Sequence, residues 1–414
     1  MSICNTNSNN NKNAKNKGQF FTVSECLQQK VFDLVSYKNE RLLEPSFGKG
    51  HLLKKFLESD PNYPVDCCEL DQSLVPCVQF SDAQTCLYGD FLELGGNDGN
   101  EELQEKYRTI IGNPPYVKTR SGCNLYLQFI RKCWEMLEDG GELVFIVPSD
   151  FIKLTSASKL ITLMTNSGSF THFSFPNNEK LFDGAFIDVV IFRYELGLLT
   201  NQVVVNDSPR ICRVANGIIT FLTNEQNEQN SQRDRVKNMS ELFNIHVGFV
   251  SGKEEAFNVS YGNVVVLNDE NRLDRYILVN QYPSEDQAIN AQLLKWKDSL
   301  IKRRIRKFHE GNWFEWGALR NKKAINENMG KACIYVRTIT RKEKVAFIGE
   351  VQYFGGGLLC MIPKAGGERG EGGAVDLQHI VNVLNNEDTK QNYTYSGRFK
   401  IGQKQLANVE IALA

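Results

Sequence analysis

The sequence predicts an α/β fold with a mostly parallel, twisted sheet, followed by a C-terminal α+β domain. From residue 18 to about residue 195, short apolar runs typical of buried strands alternate with amphipathic segments, which is the pattern of a parallel sheet covered by helices. Beyond about residue 240 the helical periodicity weakens, and aromatic, glycine and basic residues interleave. With 414 residues, the chain is long enough to bury two separate cores.

The same patterns divide the chain into three segments. Residues 1–17 are rich in Asn and Lys and have no apolar centre, so we expect a disordered lead-in and no secretory signal. Residues 18–235 form the predicted parallel α/β domain, and its last part, residues 225–235, is polar and without periodicity, as in a linker. The second domain is expected over residues 240–414.

The composition is that of an ordinary soluble globular protein, with 41% hydrophobic and 23% charged residues. No apolar run is long enough to span a bilayer, so we expect a cytoplasmic protein with no membrane partner. The eleven cysteines include no pair of CxxC elements, which favours reduced thiols over disulfides and predicts no metal site. The 48 Lys and Arg residues nearly balance the 49 Asp and Glu residues, so nucleic-acid binding would need a local concentration of positive charge.

The elements of the first domain follow in order from apolar periodicity and from glycine and proline signals. Helices are predicted at residues 23–37, 51–58 and 125–137, the last of them ended by Gly140 and Gly141. Strands are predicted at residues 41–44, 65–70, 85–88, 107–111, 142–147 and 185–194. Since ligands of an open α/β sheet bind at the carboxyl ends of its strands, the residues that follow each strand are the candidate site.

Three of these strand ends carry residues suited to a ligand with a ribose and an adenine. Glu44 precedes a turn with Gly48 and Gly50, which let the backbone approach a ligand, and its carboxylate suits a cationic ammonium group rather than a pyrophosphate. Glu69 lies where an acid can accept from both ribose hydroxyls, and Asp90 can accept from an adenine amino group. Alternatives stay open here: the glycine turn could be only a tight connection, and either acid could be a helix N-cap.

The end of the fourth strand carries the loop Asn113-Pro114-Pro115-Tyr116. Two consecutive prolines fix φ twice and remove two backbone donors, so this loop is stiff. It presents an amide oxygen, a free proline carbonyl and a phenol ring, which together can grip the amino group of a flat ring stacked on the tyrosine. A turn of the same sequence without any function is the alternative.

The loop resembles the catalytic signature of S-adenosylmethionine-dependent methyltransferases that act on amino groups, above all the N6-adenine DNA methyltransferases of the TaqI-like N-6 DNA methylase family. Methyltransferases of glutamine side chains carry the same tetrapeptide, and N4-cytosine enzymes carry close variants. The order of parts resembles the gamma group, in which the cofactor motifs precede the catalytic loop and the target-recognition domain is C-terminal. The resemblance covers residues 18–195 with specific motifs, and it implies a Rossmann-like methyltransferase domain.

The resemblance also implies roles for individual residues. Residues 18–22 would cap the cofactor, and residues 180–184 would bring an aromatic side chain to the target base. The residues that would bind S-adenosylmethionine are Phe20, Thr22, Glu44, Ser46, Gly48, Gly50, Glu69, Leu70, Asp90 and Phe91. Those that would form the catalytic site are Asn113, Pro114, Pro115, Tyr116 and Phe182. The Asn113 oxygen and the Pro114 carbonyl would accept both hydrogens of the adenine N6 amine, after the base has left the duplex.

The second domain contains two basic runs beside aromatic residues and glycines. Such a run is commonly only a solvated face, but two of them with interleaved aromatics favour a phosphate-binding surface. The cations expected to contact DNA are Arg303, Arg304, Arg306, Lys307, Arg337, Arg341, Lys342 and Arg398. The segment Val247–Gly252 also resembles the family.

These observations lead to one main interpretation. The protein is expected to be a monomeric, site-specific methyltransferase that transfers a methyl group from S-adenosylmethionine to adenine N6 in double-stranded DNA, as the modification enzyme of a restriction-modification system. A cognate restriction endonuclease would act separately. The alternatives are N4-cytosine, RNA or protein-glutamine methylation, and a DNA-binding module with a degenerate methyltransferase fold. The large C-terminal domain argues against the glutamine enzymes, and Asn rather than Ser at the head of the loop favours adenine over cytosine.

Overall fold

The computed structural model describes residues 20–94, 103, 106–119, 122–178, 181–182, 187–224, 236–364, 375–395 and 397–412. The chain forms two compact units that divide between residues 232 and 233. The predicted lead-in (1–17) and linker (225–235) lie outside the described residues.

The first unit combines a large sheet with helices. Its strands are β1 (Leu42–Glu44), β2 (Val65–Glu69), β3 (Gln84–Tyr88), β4 (Tyr107–Gly112), β5 (Leu137–Pro148), β6 (Gly168–Ser174), β7 (Val189–Leu196), β8 (Gln202–Val205), β9 (Ser208–Ala215) and β10 (Ile218–Leu222). Its helices are α1 (Glu25–Leu34), α2 (Lys54–Ser59), α3 (Leu125–Glu135) and α4 (Ser158–Ser167), with a 3-10 turn at Ser149–Lys153. The strands form a single sheet in the order β10-β9-β8-β6-β7-β5-β4-β1-β2-β3.

One half of this sheet is wholly parallel. The pairs β3–β2, β2–β1, β1–β4 and β4–β5 are all parallel, so these five strands end at the same edge. Toward the other side, β7 pairs antiparallel with both β5 and β6, β8 pairs parallel with β6, and the hairpins β8–β9 and β9–β10 complete the sheet. The predicted α/β class is confirmed, and the parallel half places the predicted strand ends side by side.

Both faces of the parallel half are buried at β1, β2 and β4, whereas the edge strand β3 is mostly only half-buried. Successive residues of β4 separate onto the two faces: Ile110 packs in a cluster with α3 and α4, while Ile111 packs in a cluster with α1 and α2. Burial on both faces explains why these strands are nearly continuous apolar runs, which made them visible in the sequence. Glu142 of β5 is an exception, and its carboxylate is paired with the Arg193 guanidinium at 2.5 Å.

The predicted helix 125–137 ends earlier than expected, at Glu135. Gly140 and Gly141 do not end it, because they lie inside β5, which begins at Leu137 rather than at residue 142. The register between β4 and β5 shifts there, and Gly140 adopts a φ of +73° that favours glycine. The predicted strand 185–194 is observed as β7; residues 183–186 are not described.

The second unit is a mixture of helices and small antiparallel sheets. Its strands are β11 (Val236–Asn238), β12 (Phe243–Val247), β13 (Val264–Asp269), β14 (Arg272–Tyr276), β15 (Ala332–Arg337), β16 (Ile339–Thr340), β17 (Ala346–Glu350), β18 (Leu358–Pro363), β19 (Thr394–Tyr395), β20 (Arg398–Lys400) and β21 (Glu410–Ala412). Its helices are α5 (Met239–Leu242), α6 (Glu254–Phe257), α7 (Gln287–Ile301), α8 (Lys322–Glu327), α9 (Leu377–Asn385), α10 (Glu387–Gln391) and α11 (Gln403–Ala407). The central sheet has the order β12-β18-β15-β17, which agrees with the α+β class predicted for this part.

Within the described ranges, no helix is both long enough and apolar enough to cross a membrane.

Candidate active site

A pocket of about 320 Å³ lies at the carboxyl edge of the parallel strands. It collects the segments that follow β1, β2, β3 and β4, together with one face of α3. The lining residues are Phe20, Phe21, Pro45, Ser46, Gly48, Glu69, Leu70, Asp71, Gly89, Asp90, Phe91, Leu92, Asn113, Pro115, Leu125 and Phe129. This is the location that an open α/β sheet predicts for a ligand.

The turn after β1 forms one wall, and its glycines are required by its geometry. Gly48 and Gly50 have φ values of +58° and +78°, where only glycine is unstrained. A Cβ atom on Gly50 would also lie 2.7 Å from the Val78 side chain. The Gly48 N–H donates to Glu69 Oε2 at 2.8 Å, which ties this turn to the end of β2.

Glu44 is buried at the end of β1, only 2% exposed. Among the described residues, its Oε2 atom has no hydrogen-bond partner, and neither has the buried Oγ atom of Ser46, which lines the pocket. Burial, reinforced by the nearby Glu69 carboxylate, raises the pKa of Glu44 from 4.5 to about 8. One such oxygen at the pocket wall, and a second on Glu44 just before the lining residue Pro45, indicate that a polar ligand group completes this region.

Glu69 and Asp90 stand at the ends of neighbouring strands. Glu69 accepts from the backbone N–H groups of Gly48 and Asp71, both at 2.8 Å, so its carboxylate is held in one orientation. Asp90 accepts from the Leu92 N–H at 3.0 Å through Oδ1 and so caps the short turn that follows β3. The helix-cap alternative therefore describes part of the role of Asp90, although its side chain also lines the pocket.

Asn113 connects the loop Asn113–Tyr116, the candidate catalytic loop, to the segment that contains Phe20 and Thr22. Its Nδ2 group donates to the Phe20 carbonyl at 2.7 Å and to Thr22 Oγ1 at 2.9 Å. These two contacts use both amide hydrogens, so the amide cannot flip without losing them. The Oδ1 atom accepts a hydrogen bond from the Tyr116 hydroxyl, which also lies 3.1 Å from the Ile146 carbonyl.

Three aromatic rings meet beside this loop. Tyr116 and Phe20 are stacked with ring centroids 5.3 Å apart, and Phe182 meets both edge-on at 6.3 and 6.0 Å. Burial raises the pKa of Tyr116 well above its usual range, so its hydroxyl stays protonated at any physiological pH. In this arrangement the aromatic groups pack on one another, and the tyrosine hydroxyl donates to the asparagine oxygen.

The structure brings most of the predicted site residues together. Nine of them line the pocket: Phe20, Ser46, Gly48, Glu69, Leu70, Asp90, Phe91, Asn113 and Pro115. The others adjoin it through packing or hydrogen bonds, or lie in its turns, and are not among its lining: Thr22, Glu44, Gly50, Pro114, Tyr116 and Phe182. Leu125 and Phe129 also line it, but in the sequence they are ordinary members of an amphipathic helix, so no signal distinguished them.

The second unit requires a correction for two of the predicted DNA-contacting cations. Arg303 is 9% exposed and donates to four backbone carbonyls: those of Leu300, Ser251, Trp313 and Glu315. It holds loops together inside its own unit and is not available to a phosphate. The prediction from the basic run 302–307 was wrong for Arg303 because the density of charge along a sequence does not show which side chains are buried.

Arg337 is the second correction. It is 6% exposed, and its guanidinium pairs with Asp269 at 2.5 Å and with Glu270 at 3.4 Å. Lys342 is exposed but also pairs with Asp269, at 2.5 Å, so Asp269 and Glu270 offset part of the positive charge of the second basic run, residues 337–344. Arg306 pairs with Glu315 at 2.5 Å.

Six predicted DNA-contacting cations lie on or near the surface, and two of them, Arg306 and Lys342, pair with acids. Arg304, Lys307 and Arg341 are exposed, and Arg398 is partly exposed. Within the described ranges, Arg304 and Lys307 have no ion pair.

The remaining candidate chemistry concerns metal ligands and cysteines. Among the residues that the structure describes, no group of three His, Cys, Asp or Glu side chains could hold a metal ion. The described cysteines are free thiols; Cys67 and Cys86 are in contact, with sulfurs 3.2 Å apart.

Parts of the chain are similar in sequence to known restriction-modification methylases. Residues 79–182 match the model of the Eco57I restriction-modification methylase family. The type II methyltransferase M.HincII from Haemophilus influenzae is 28% identical over 205 residues, which are 44% of this chain and 37% of that protein. The modification methylase CviBIII from Paramecium bursaria Chlorella virus NC1A is 29% identical over 158 residues, 33% of this chain and 40% of that protein.

The chain therefore spans well under half the length of these two relatives. Among solved structures, a chain of the DrdV–DNA complex can be aligned with this protein. The alignment includes 86% of this chain and 50% of that chain, with 12% identity and a TM-score of 0.47. The segment matched by the family model includes β3, the catalytic loop and Phe182. By sequence, the part of the chain that carries the candidate active site is thus similar to restriction-modification methylases.

Proposed function

We propose that this protein is a site-specific DNA methyltransferase that transfers a methyl group from S-adenosylmethionine to N6 of a flipped-out adenine, as the modification enzyme of a restriction-modification system. The observation that carries the proposal is one pocket that joins Glu69, Asp90 and Asn113 from the ends of β2, β3 and β4, three strands of the parallel half of the sheet. The similarity of residues 79–182 to restriction-modification methylases supports the choice of DNA as substrate. Residues 18–235 are assigned to catalysis and residues 240–414 to target recognition.

The residues of the pocket fit S-adenosylmethionine. The unpartnered oxygens of Glu44 and Ser46 suit the polar groups of its methionine part, and an ammonium group beside Glu44 would stabilise the ionised carboxylate there. Glu69, oriented by two backbone N–H groups, suits the ribose hydroxyls. Asp90 and Phe91 suit the adenine, by hydrogen bonding and by packing.

When bound, the cofactor supplies a methyl carbon already activated by its sulfonium. The protein's task is then to place the target amine in line with that carbon and to stabilise the charge that develops on nitrogen. Asn113 is prepared for this, because its amide nitrogen is committed to Phe20 and Thr22 and its oxygen can only accept. With the Pro114 carbonyl it would take both amine hydrogens, which favours the pyramidal nitrogen needed for attack.

Because a carbonyl oxygen has two lone pairs, the Asn113 oxygen can accept from an amine hydrogen beside its hydrogen bond from the Tyr116 hydroxyl. Since Tyr116 stays protonated, it does not act as a general base; its ring serves as the surface on which the base stacks. Stacking on an aromatic side chain contributes about 1–3 kcal/mol per base, comparable to the few kcal/mol needed to flip a base. Phe182, edge-on to Tyr116, would border the same slot.

The proposal is tested by methyl transfer to duplex DNA and by identification of the product. Wild-type protein expressed in a host without methylation should leave N6-methyladenine in one sequence context, detected by modification-sensitive sequencing and by mass spectrometry of the nucleosides. The Asn113→Ala variant should lose at least a hundredfold in turnover, as loss of one such acceptor costs elsewhere, and should still bind S-adenosylhomocysteine. Asn62→Ala is the matched control, since Asn62 is exposed and does not line the pocket.

Three outcomes would contradict parts of this proposal. N4-methylcytosine as the sole product would overturn the assignment to adenine. Methylation of RNA or protein but not of DNA would overturn the substrate class. Near wild-type turnover of Asn113→Ala would remove this residue from the reaction.

A further inference from the structure

Lys132 makes contacts that its place in the sequence does not explain. It lies on α3, and its Nζ atom donates to two backbone carbonyls, those of Phe91 and Leu94. Both carbonyls belong to the turn that follows β3. Nζ also lies 4.6 Å above the centroid of the Phe91 ring. Lys132 therefore holds, by hydrogen bonds, the segment that carries the pocket-lining residues Asp90 and Phe91.

The segment that Lys132 contacts is a single turn, in which Phe91 is buried and stacks on Phe129 with ring centroids 5.5 Å apart. The N–H groups of Glu93 and Leu94 donate to the Asp90 carbonyl at 2.9 and 3.1 Å, and the Leu92 N–H donates to the Asp90 carboxylate at 3.0 Å. One turn leaves the carbonyls at its end without partners inside the turn. The Lys132 ammonium satisfies two of them, and a cation at that end also suits the direction of the peptide dipoles.

Lys132 is placed to connect this turn with the catalytic loop. Leu125, Phe129 and Lys132 follow one another at helical spacing on the same face of α3, and the first two line the pocket. The Leu125 N–H donates to the Val117 carbonyl at 2.8 Å, which joins the start of α3 to the residue after Tyr116. A single helix thus contacts the catalytic loop at one end and the Asp90 turn one to two turns later.

Partial burial distinguishes this lysine from its neighbour on the helix. Lys132 is partly buried, and desolvation lowers its pKa, so its placement has a cost that a solvent-facing lysine avoids. Arg131 is exposed and pairs only with Glu135, four residues on, at 3.0 Å. The two adjacent cations therefore form a natural comparison.

We propose that Lys132 is a positioning residue for cofactor binding: it holds the turn from Asp90 to Leu94 against α3, so that Asp90 and Phe91 are fixed where the adenine of the cofactor binds. This inference rests on the proposed function. It assigns Lys132 no contact with the cofactor and no part in the transfer of the methyl group. Its loss should weaken the binding of any ligand with an adenosine part, whether or not the methionine part is present.

The test compares full-length Lys132→Met, Lys132→Arg and Arg131→Met with the wild type. We expect Lys132→Met to raise the KM for S-adenosylmethionine about tenfold, with kcat at saturating cofactor within about threefold of wild type, because two charge-assisted hydrogen bonds are lost outside the reacting centre. Calorimetry should show a similar fold-loss for S-adenosylhomocysteine and for adenosine. Lys132→Arg, which keeps the charge and the donors, should restore most of the affinity, and Arg131→Met should change none of these values.

The alternative is that Lys132 only stabilises the fold. It predicts a lower melting temperature with an unchanged KM for the folded fraction, or losses in kcat and KM that Arg131→Met shares; either result would overturn the inference. Should Lys132→Met not fold, Lys132→Gln takes its place, and an unchanged KM there counts equally against it. A wild-type protein that fails to bind S-adenosylhomocysteine contradicts the proposed function itself, whereas binding that is equal in wild type and variants contradicts only the role of Lys132.

Discussion

At the scale of single residues, the site is defined by hydrogen bonds that leave one acceptor free to change partner. Asn113 is locked by the Phe20 carbonyl and Thr22, while its oxygen is held by Tyr116. In the proposed reaction, a substrate amine would share this oxygen with the Tyr116 phenol or displace it. Because that phenol also reaches the Ile146 carbonyl at 3.1 Å, it keeps a partner in either case.

The first prediction concerns Tyr116 and separates its ring from its hydroxyl. Tyr116→Phe keeps the stacking surface and removes the competitor for the Asn113 oxygen, so turnover should stay within about threefold of wild type. Tyr116→Ala removes the ring and should lower kcat/KM for DNA by roughly tenfold to a hundredfold, the equivalent of about 1–3 kcal/mol of stacking. Steady-state methylation of a short duplex measures both. A severe loss in Tyr116→Phe would show that the hydroxyl takes part in the reaction.

The second prediction concerns Glu44 and the pH dependence of stability. Its pKa is raised from 4.5 to about 8 in the folded protein, so the folded state holds a proton that the unfolded state releases. The stabilising contribution is full below about pH 4.5 and is lost as the pH rises to about 8, at no more than ~1.4 kcal/mol per pH unit. The melting temperature of the ligand-free protein should fall across this window. Glu44→Gln, which cannot ionise, should fall less, and parallel curves for the two proteins would contradict the prediction.

At the scale of elements, the predictable features were those that depend on local pattern. β1, β2, β4 and the second half of β5 are recognisable because strands buried on both faces are apolar along most of their length, and the turns after the parallel strands carry their own glycine, proline and acidic signals. The hairpins β8–β9 and β9–β10 were not predicted, since their mixed, half-exposed residues show no clear period. The start of β5 was placed wrongly because the glycine pair sits in a register shift, which depends on its partner strand.

The burial of individual charges was equally beyond a local pattern. Arg303 and Arg304 are neighbours in one basic run, yet one is buried and the other exposed. The difference arises from four carbonyls around Arg303, one at the end of α7, two in the segment that follows and one, that of Ser251, 52 residues away. Among the site residues, the motif at each strand end was visible, whereas the two lining residues from α3 required the packing of that helix.

The third prediction concerns the ion pair that joins two central strands. Glu142 is fully buried and accepts from Arg193, from Thr109 and from the backbone N–H groups of Ser36 and Tyr37. Glu142→Ala leaves a buried guanidinium with a weaker set of partners and should destabilise the first unit by about 3–5 kcal/mol. Urea unfolding followed by circular dichroism measures the change.

An exposed ion pair of the same unit is the control for Glu142→Ala. Lys55 and Glu58 are 3.0 Å apart on α2 and partly in solvent, so Lys55→Ala should change the unfolding free energy by less than about 1 kcal/mol. Equal effects of the two variants would show that burial of the Glu142–Arg193 pair does not govern its contribution.

At the scale of the whole molecule, the proposed binding of DNA depends on how the charges are distributed, because the net charge is not positive. The chain has a formal net charge of −1, so attraction to a polyanion must come from where the cations lie. Burial removes Arg303 and Arg337 from that surface, and acidic partners offset Arg306 and Lys342. Arg304 and Lys307, exposed and without an ion pair among the described residues, are the strongest candidates that remain in the first basic run.

The last prediction follows from the contrast between two adjacent arginines. If Arg304 neutralises one phosphate, Arg304→Ala should lower the slope of log K against log salt by about 0.9 for non-cognate duplex, with an unchanged melting temperature. Arg303→Ala should instead lower the melting temperature by several degrees, because it leaves four backbone carbonyls without their hydrogen-bond donor. The slope should stay unchanged for the protein that remains folded. Fluorescence anisotropy between about 50 and 200 mM salt measures the slope. An unaltered slope in Arg304→Ala would move the DNA contact to other cations, and a reduced slope in Arg303→Ala would mean that its burial is not maintained on DNA.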